Sequence, residues 1–172
     1  MDLRLQGKRA LVTGSSIGLG EAIARALAAE GVAVAIHGRQ PKRTYAVAAD
    51  IEAHGGRVAV VLGDLTVEGE AQNIADSTIE QLGGIDILVN NAGGTGEKLV
   101  WEDTPIRAWT ESYERNVSSC CKTDQSSSVA DAAVWLGQDC ERLERGWCNA
   151  SAHGPGLLSE QGCDQQSQPV LD

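Results

Sequence analysis

Residues 13–20 read Thr-Gly-Ser-Ser-Ile-Gly-Leu-Gly, and this stretch decides the fold of the chain. The run Arg-Ala-Leu-Val at 9–12 precedes it, and residues 21–30 continue with an alanine-rich, helix-forming pattern. The order is therefore strand, glycine-rich turn, helix. Glycine lets backbone approach a pyrophosphate closely, and the first turn of a helix offers unpaired N–H groups to phosphate. The stretch predicts a dinucleotide-binding turn; a tight βα turn without a ligand is the alternative.

Strand and helix patterns alternate through the first two-thirds of the chain. The strands are continuous apolar runs, which is typical of a parallel sheet covered on both faces. Repeated βα order predicts an α/β fold, a Rossmann-like doubly wound parallel sheet that is truncated. Strands are expected at 10–12, 32–36, 58–62 and 85–89, and helices at 18–30, 44–54, 67–82 and about 104–116.

Three further motifs follow the glycine-rich turn in order. Asp64-Leu65 ends an apolar run, Asn90-Asn91-Ala92-Gly93 follows the fourth strand, and Asn116-Val117 lies in a helical stretch. Together with the G-x-x-x-G-x-G spacing after Thr13, they resemble the short-chain dehydrogenase/reductase family over residues 1–117. An unrelated Rossmann-like domain with chance matches is the alternative.

The resemblance implies a set of contacts to a nicotinamide dinucleotide. The turn would line the pyrophosphate, Asp64 and Leu65 would hold the adenine, and the segment after strand four would lie beside a ribose. Asp64 could instead cap the following helix. The implied contacts in these three segments are Gly14, Ser15, Ser16, Ile17, Gly18, Gly20, Asp64, Leu65, Asn91, Ala92 and Gly93.

Arg39 follows the second strand, where an acidic residue would favour NAD by binding the ribose 2′-hydroxyl. An arginine suits a 2′-phosphate, so NADP is the predicted cofactor and NAD the alternative. The alternative is that Arg39 is a solvated arginine in a turn and does not indicate which cofactor binds.

Catalytic residues of the family are mostly missing. Asn116 stands at the family's fourth catalytic position, although a structural or helix-kinking asparagine is the alternative. Active relatives carry a Ser and a Tyr-x-x-x-Lys further on, but neither Tyr45 nor Tyr113 is followed by lysine at that spacing. We therefore expect a protein of the hydride-transferring family that binds NAD(P) and is inactive. The alternative is a non-catalytic nucleotide sensor or interaction partner of a full-length relative.

Composition changes after residue 117, and residues 118–172 read as a divergent tail. The family domain is usually about 250 residues long, so the chain stops short of it. A changed reading frame, a splice event or a deletion would explain the change, as would divergence in place. The spacing of apolar residues predicts one helix near 129–145, and no fifth strand of the family's kind, an apolar run that leads to a catalytic Ser, is visible. Strand four would then have a bare edge, favouring homo- or hetero-oligomers.

Charge and composition exclude several classes. The net charge of −10 argues against nucleic acid or anionic membranes as partners. No apolar run could span a bilayer, and no signal region is visible, so a cytoplasmic location is expected. The five cysteines start at Cys120 and form no metal-ligand pattern, so no metal is expected. The three histidines, His37, His54 and His153, are expected to be solvated or structural.

Overall fold

A computed structural model describes residues 4–94, 96 and 104–123, and the backbone of residues 124 and 133–136. Strands and helices alternate along it, as the sequence predicts. The strands are β1 (Arg9–Val12), β2 (Ala33–Gly38), β3 (Val58–Leu62), β4 (Ile87–Asn90) and β5 (Ala133–Leu136). The helices are α1 (Gly18–Ala29), α2 (Pro41–Ala53), α3 (Glu70–Leu82), α4 (Ile106–Tyr113) and α5 (Ser119–Asp124), with a π-helical turn at Glu114–Ser118.

The strands form one parallel sheet in the order β3-β2-β1-β4-β5. The chain first moves outward from β1 to β3 and then crosses back to β4 on the other side of β1. This reversal confirms the predicted doubly wound sheet. In such sheets ligands bind where the order reverses, outside the carboxyl ends of the strands. The ends of β1 and β4 therefore mark the place to look for a site.

Alternate residues of β1 to β4 bury against opposite layers of helix. On one face, Leu11, Ala35 and Leu88 belong to a cluster with α3 residues such as Ile74. On the other face, Val12, Ile36 and Val89 cluster with residues of α1 and α2. A strand buried on both sides has no polar face, and this explains the continuous apolar runs.

The fifth strand corrects the prediction of a helix near 129–145. Residues 133–136 form β5, which runs parallel to β4 with Ala133 opposite Ile87 and Leu136 opposite Asn90. The predicted helix is therefore wrong as far as residues 133–136 are concerned, and the edge of β4 that was expected to be bare is paired there. Periodicity alone cannot separate a short apolar strand from a helical segment, and the open edge of β4 supplies the hydrogen-bonding partner that decides it. The rest of 129–145, and the tail beyond it, lie outside the described residues.

An ion pair joins β1 to the segment before β4. The Arg9 Nε and Nη2 atoms donate to the two carboxylate oxygens of Asp86 over 2.8 and 2.9 Å, and the Arg9 backbone N–H donates to Oδ2 over 2.9 Å. These bonds from Arg9 lower the pKa of Asp86 to about 2. A bidentate pair of this kind has a fixed geometry, so it sets the spacing of β1 and β4 at the end remote from the turn.

Two kinds of feature are absent from the described part of the chain. Its helices include none long and apolar enough to cross a membrane. Its His, Cys, Asp and Glu side chains form no group that could hold a metal ion.

Candidate functional site

The glycine-rich turn after β1 has the backbone that its sequence demands. Gly14 and Gly18 have φ angles of +66° and +63°, a region that favours glycine. Gly20 serves a different purpose, since a Cβ there would lie 2.6 Å from the Gly14 carbonyl oxygen. Helix α1 begins after Ile17, whose side chain makes no capping hydrogen bond. The first N–H groups of α1 are therefore left to another partner, which is the arrangement that binds phosphate.

Thr13 and Asn91 tie this turn to the end of β4. The Thr13 hydroxyl accepts from the backbone N–H groups of Asn91 and Ala92 over 2.9 and 3.0 Å and donates to the Val89 carbonyl over 3.2 Å. The Asn91 side-chain amide donates back to the carbonyl oxygens of Thr13 and Gly14 over 2.9 and 3.2 Å. These hydrogen bonds therefore hold the ends of the neighbouring strands β1 and β4 together as one rigid wall of the site.

His37 fastens the same turn to β2 and β3. It is 3% exposed, and its Nδ1 accepts from the Gly14 N–H over 3.0 Å. The acceptor role leaves the proton on Nε2, which donates to the Gly63 carbonyl over 3.2 Å. Burial lowers the pKa of His37, a direction that prevails over the raising effects of the Gly63 bond, Asp64 and Glu70. His37 is structural, as expected, but it also lines the cleft, which its isolated position in the sequence did not reveal.

Arg39 and Asp64 meet beside the ends of β2 and β3. Arg39 Nη1 lies 3.3 Å from Asp64 Oδ2, and the arginine side chain is 66% exposed. Burial alone would raise the pKa of Asp64. The hydrogen bonds from Thr66 and Arg39 lower this pKa by more than burial raises it, so the net shift is downward. Asp64 accepts from the Thr66 N–H over 3.0 Å, whereas α3 begins only after Gly69. The alternative that Asp64 caps the following helix is therefore wrong.

Asn116 holds the segment after β4 against the helix that follows. Its Oδ1 accepts from the Gly94 N–H over 2.8 Å, and its Nδ2 donates to the carbonyls of Gly94 and Ser112 over 3.1 and 2.8 Å. It lies inside the π-helical turn, a geometry often found at functional sites. These contacts are those of a structural asparagine, and the catalytic role of Asn116 stays a prediction.

The strand ends and the π-helical turn enclose one cleft of about 300 Å³. Of the residues predicted as contacts, two do not line it: Ser15, whose buried hydroxyl donates to the Val12 carbonyl over 2.7 Å, and Gly18. The predicted contacts that do line it are Gly14, Ser16, Ile17, Gly20, Arg39, Asp64, Leu65, Asn91, Ala92 and Gly93. The sequence analysis missed Leu19, His37, Gly38, Thr66, Arg115 and Ser119, of which the last two share an i,i+4 spacing that could have marked a common face.

Comparison with known proteins agrees with this geometry. The family model described as short chain dehydrogenase matches residues 8–130. The chain belongs to the short chain dehydrogenase family. The match passes residue 117, where the motifs end, and continues to residue 130.

Individual relatives match only in part. The 7alpha-hydroxysteroid dehydrogenase of Escherichia coli K12 is 39% identical over 118 residues, which are 69% of this chain and 46% of that protein. The chain thus spans about half the length of the curated relatives it matches.

Solved structures of this family superpose closely on the chain. A short chain dehydrogenase from Burkholderia cenocepacia J2315 in complex with NADP has a TM-score of 0.72 and 37% identity, over 80% of this chain and 57% of that one. A 7 alpha-hydroxysteroid dehydrogenase complexed with NADH and 7-oxo glycochenodeoxycholic acid also has a TM-score of 0.72, with 33% identity over 78% of this chain and 54% of that one.

Proposed function

We propose that this chain binds a nicotinamide dinucleotide, with the pyrophosphate over the turn between β1 and α1. The uncapped start of α1 carries the proposal, because Ile17 gives the first N–H groups no side-chain partner and Leu19 and Gly20 in the first turn of the helix line the cleft. Relatives of known structure bind NADP or NADH. When bound, the nicotinamide ring gives or takes a hydride; the protein supplies position and charge.

We infer that the cofactor is NADP. Arg39 lines the cleft beside Asp64, and the turn around it, His-Gly-Arg-Gln at 37–40, contains no acidic residue that would bind a ribose 2′-hydroxyl. Its exposed pair with Asp64 is a single long contact, and pairs of this kind contribute only about 0–1 kcal/mol. A 2′-phosphate, with its higher charge and several acceptor oxygens, would compete well for the same guanidinium.

Titration of NADPH and NADH by nicotinamide fluorescence tests this inference. We expect NADPH to bind wild-type protein more tightly than NADH. Arg39→Ala should weaken NADPH binding at least about tenfold, since charge-assisted hydrogen bonds contribute about 1.5–3 kcal/mol, and leave NADH binding unchanged. Arg43→Ala is a matched control, because Arg43 is exposed on α2 and does not line the cleft. Equal wild-type affinities for the two cofactors would refute the NADP preference.

We propose that the chain by itself does not turn the cofactor over. The printed sequence has no Tyr-x-x-x-Lys to exchange a proton with a substrate oxygen, and a missing general acid–base group alone costs about a hundredfold to ten-thousandfold in rate. Purified protein with NADPH and a panel of carbonyl compounds should show no loss of absorbance at the nicotinamide band above the blank. Sustained turnover would contradict the proposal and reveal a proton donor of another type.

A second candidate function is a non-catalytic partner of a full-length relative. One face of α4 presents Ile106, Trp109 and Tyr113, all exposed, and contiguous apolar surface of this kind marks interaction sites. Co-expression with a full-length family member, followed by affinity purification through a tag on this chain, tests it. Stoichiometric recovery that Ile106→Glu abolishes would favour the partner role, and recovery of this chain alone would count against it.

A cytoplasmic location also stays a prediction.

A further inference from the structure

Arg115 lies on the side of the cleft opposite Arg39. In the sheet order, the ends of β2 and β3, with Arg39 and Asp64, flank the glycine-rich turn on one side, and the end of β4 flanks it on the other. Arg115 belongs to the π-helical turn that packs over the segment after β4. It is half-buried, it lines the cleft, and a Cβ added to Gly96 would collide with its Nη1 atom. Its guanidinium therefore lies close to the backbone of Gly96 at the rim of the cleft.

The carboxylates near Arg115 on its own helix are bound to other cations. Glu111 pairs with Arg107 at 3.4 Å, and Glu114 pairs with Lys122 at 3.3 Å. Across the cleft, Asp64 pairs with Arg39. Within the part of the chain that the structure describes, Arg115 makes no ion pair. An arginine in a cleft wall that has no carboxylate partner among the described residues has N–H donors free to bind an anion. Its planar guanidinium matches the oxygens of a carboxylate or a phosphate.

We propose that Arg115 binds an oxyanion, phosphate or carboxylate, in the half of the cleft on the β4 side. The inference rests on the proposed function, because a dinucleotide with its adenosine at Arg39 must extend its other half past the turn toward β4. Two sources fit the chemistry: the phosphate of the nicotinamide mononucleotide half, and an acidic group on a second substrate. The net charge of −10 makes this local cation matter, since the surface as a whole repels anions.

Half-cofactors separate the two sources in calorimetric titrations of the full chain. Nicotinamide mononucleotide probes the β4 side, 2′,5′-ADP probes the Arg39 side, and acetoacetate added to the NADP⁺-saturated protein probes an acidic substrate. Arg115→Gln removes the charge and keeps a polar chain, and Arg115→Lys restores the charge without the fork. Arg107→Gln is the control, because Arg107 lies on the preceding helix, pairs with Glu111 and does not line the cleft. Circular dichroism checks that each variant folds.

Arg115→Gln should weaken one β4-side probe at least about tenfold, as loss of a charge-assisted hydrogen bond does, and leave 2′,5′-ADP unchanged. A loss for the mononucleotide assigns the oxyanion to the cofactor, and a loss for acetoacetate alone assigns it to a substrate. In either case Arg115→Lys should recover part of the affinity. If wild-type protein binds 2′,5′-ADP and Arg115→Gln changes neither of the other probes, this inference is wrong and the proposed function survives. If wild-type protein binds none of the probes, both are wrong.

Discussion

Replacing Thr13 by valine would remove a hydroxyl that joins two strand ends while keeping the shape of the side chain. Thr13 is 1% exposed, and its hydroxyl accepts two backbone N–H groups and donates to one carbonyl. Each bond contributes about 1 kcal/mol net, and an unmatched buried donor costs about 1–3 kcal/mol. The two donors, on Asn91 and Ala92, are only part-buried, so we expect Thr13→Val to lower the free energy of unfolding by about 2–4 kcal/mol.

Thr13→Ser is the matched control because it keeps the hydroxyl and removes one methyl group. A single buried methyl group costs about 0.5–1.5 kcal/mol, so the serine variant should be the more stable of the two. Urea unfolding followed by circular dichroism measures both free energies, and NADPH titration should rank the variants in the same order. Equal destabilisation by valine and serine would show that packing, not the hydroxyl, holds these strand ends together, and the argument for a rigid wall would fail.

Three further predictions concern the turn and its supports. Gly20→Ala should abolish NADPH binding in a fluorescence titration, because the new Cβ would displace the Gly14 carbonyl; wild-type affinity would contradict this. Burial lowers the pKa of His37 in the folded protein, so the unfolded state binds a proton first as pH falls. The free energy of unfolding should therefore fall as pH drops below about 6.5, and urea titrations should find that it depends less on pH in His37→Gln. Asp86, with a folded pKa of about 2, stabilises the fold above its ordinary pKa of 3.8 and loses this effect as pH falls toward 2. Asp86→Asn should therefore be less stable at neutral pH and show a shallower acid-unfolding curve, and an unchanged curve would exclude a role for the Arg9 pair.

The sequence predicts what is local in this fold. A buried parallel strand is a continuous apolar run and a βα turn that approaches phosphate needs glycine, so β1 to β4 and the turn after β1 could be found by inspection. The strand β5 could not, because four apolar residues have no period and only the open edge of β4 decides their conformation.

Side-chain roles that depend on sheet order were equally hidden from the sequence. Nothing near His37 in the chain indicates that it accepts a hydrogen bond from Gly14, since the two residues meet only because β1 and β2 are neighbours. Arg115 can be recognised as a candidate anion-binding residue only once the structure shows that Glu111 and Glu114 pair with other cations. Asn91 and Asp64 were recognised because their motifs resemble those of the family, and both lie just after strands, where the fold places its contacts.

The π-helical turn at Glu114–Ser118 sets the angular phase between α4 and α5. A π-helical turn holds one residue more than an α-helical turn over nearly the same rotation, and each residue of an α-helix turns the chain by about 100°. One residue deleted from this turn would therefore let ordinary α-helix form and leave Ser119 and Thr123 on their buried face. One residue deleted elsewhere in α4 or α5 would instead rotate every later residue by about 100°, so we expect length changes in this helix to fall at the π-helical turn, where an alignment with a relative that lacks the extra residue should show a gap of one.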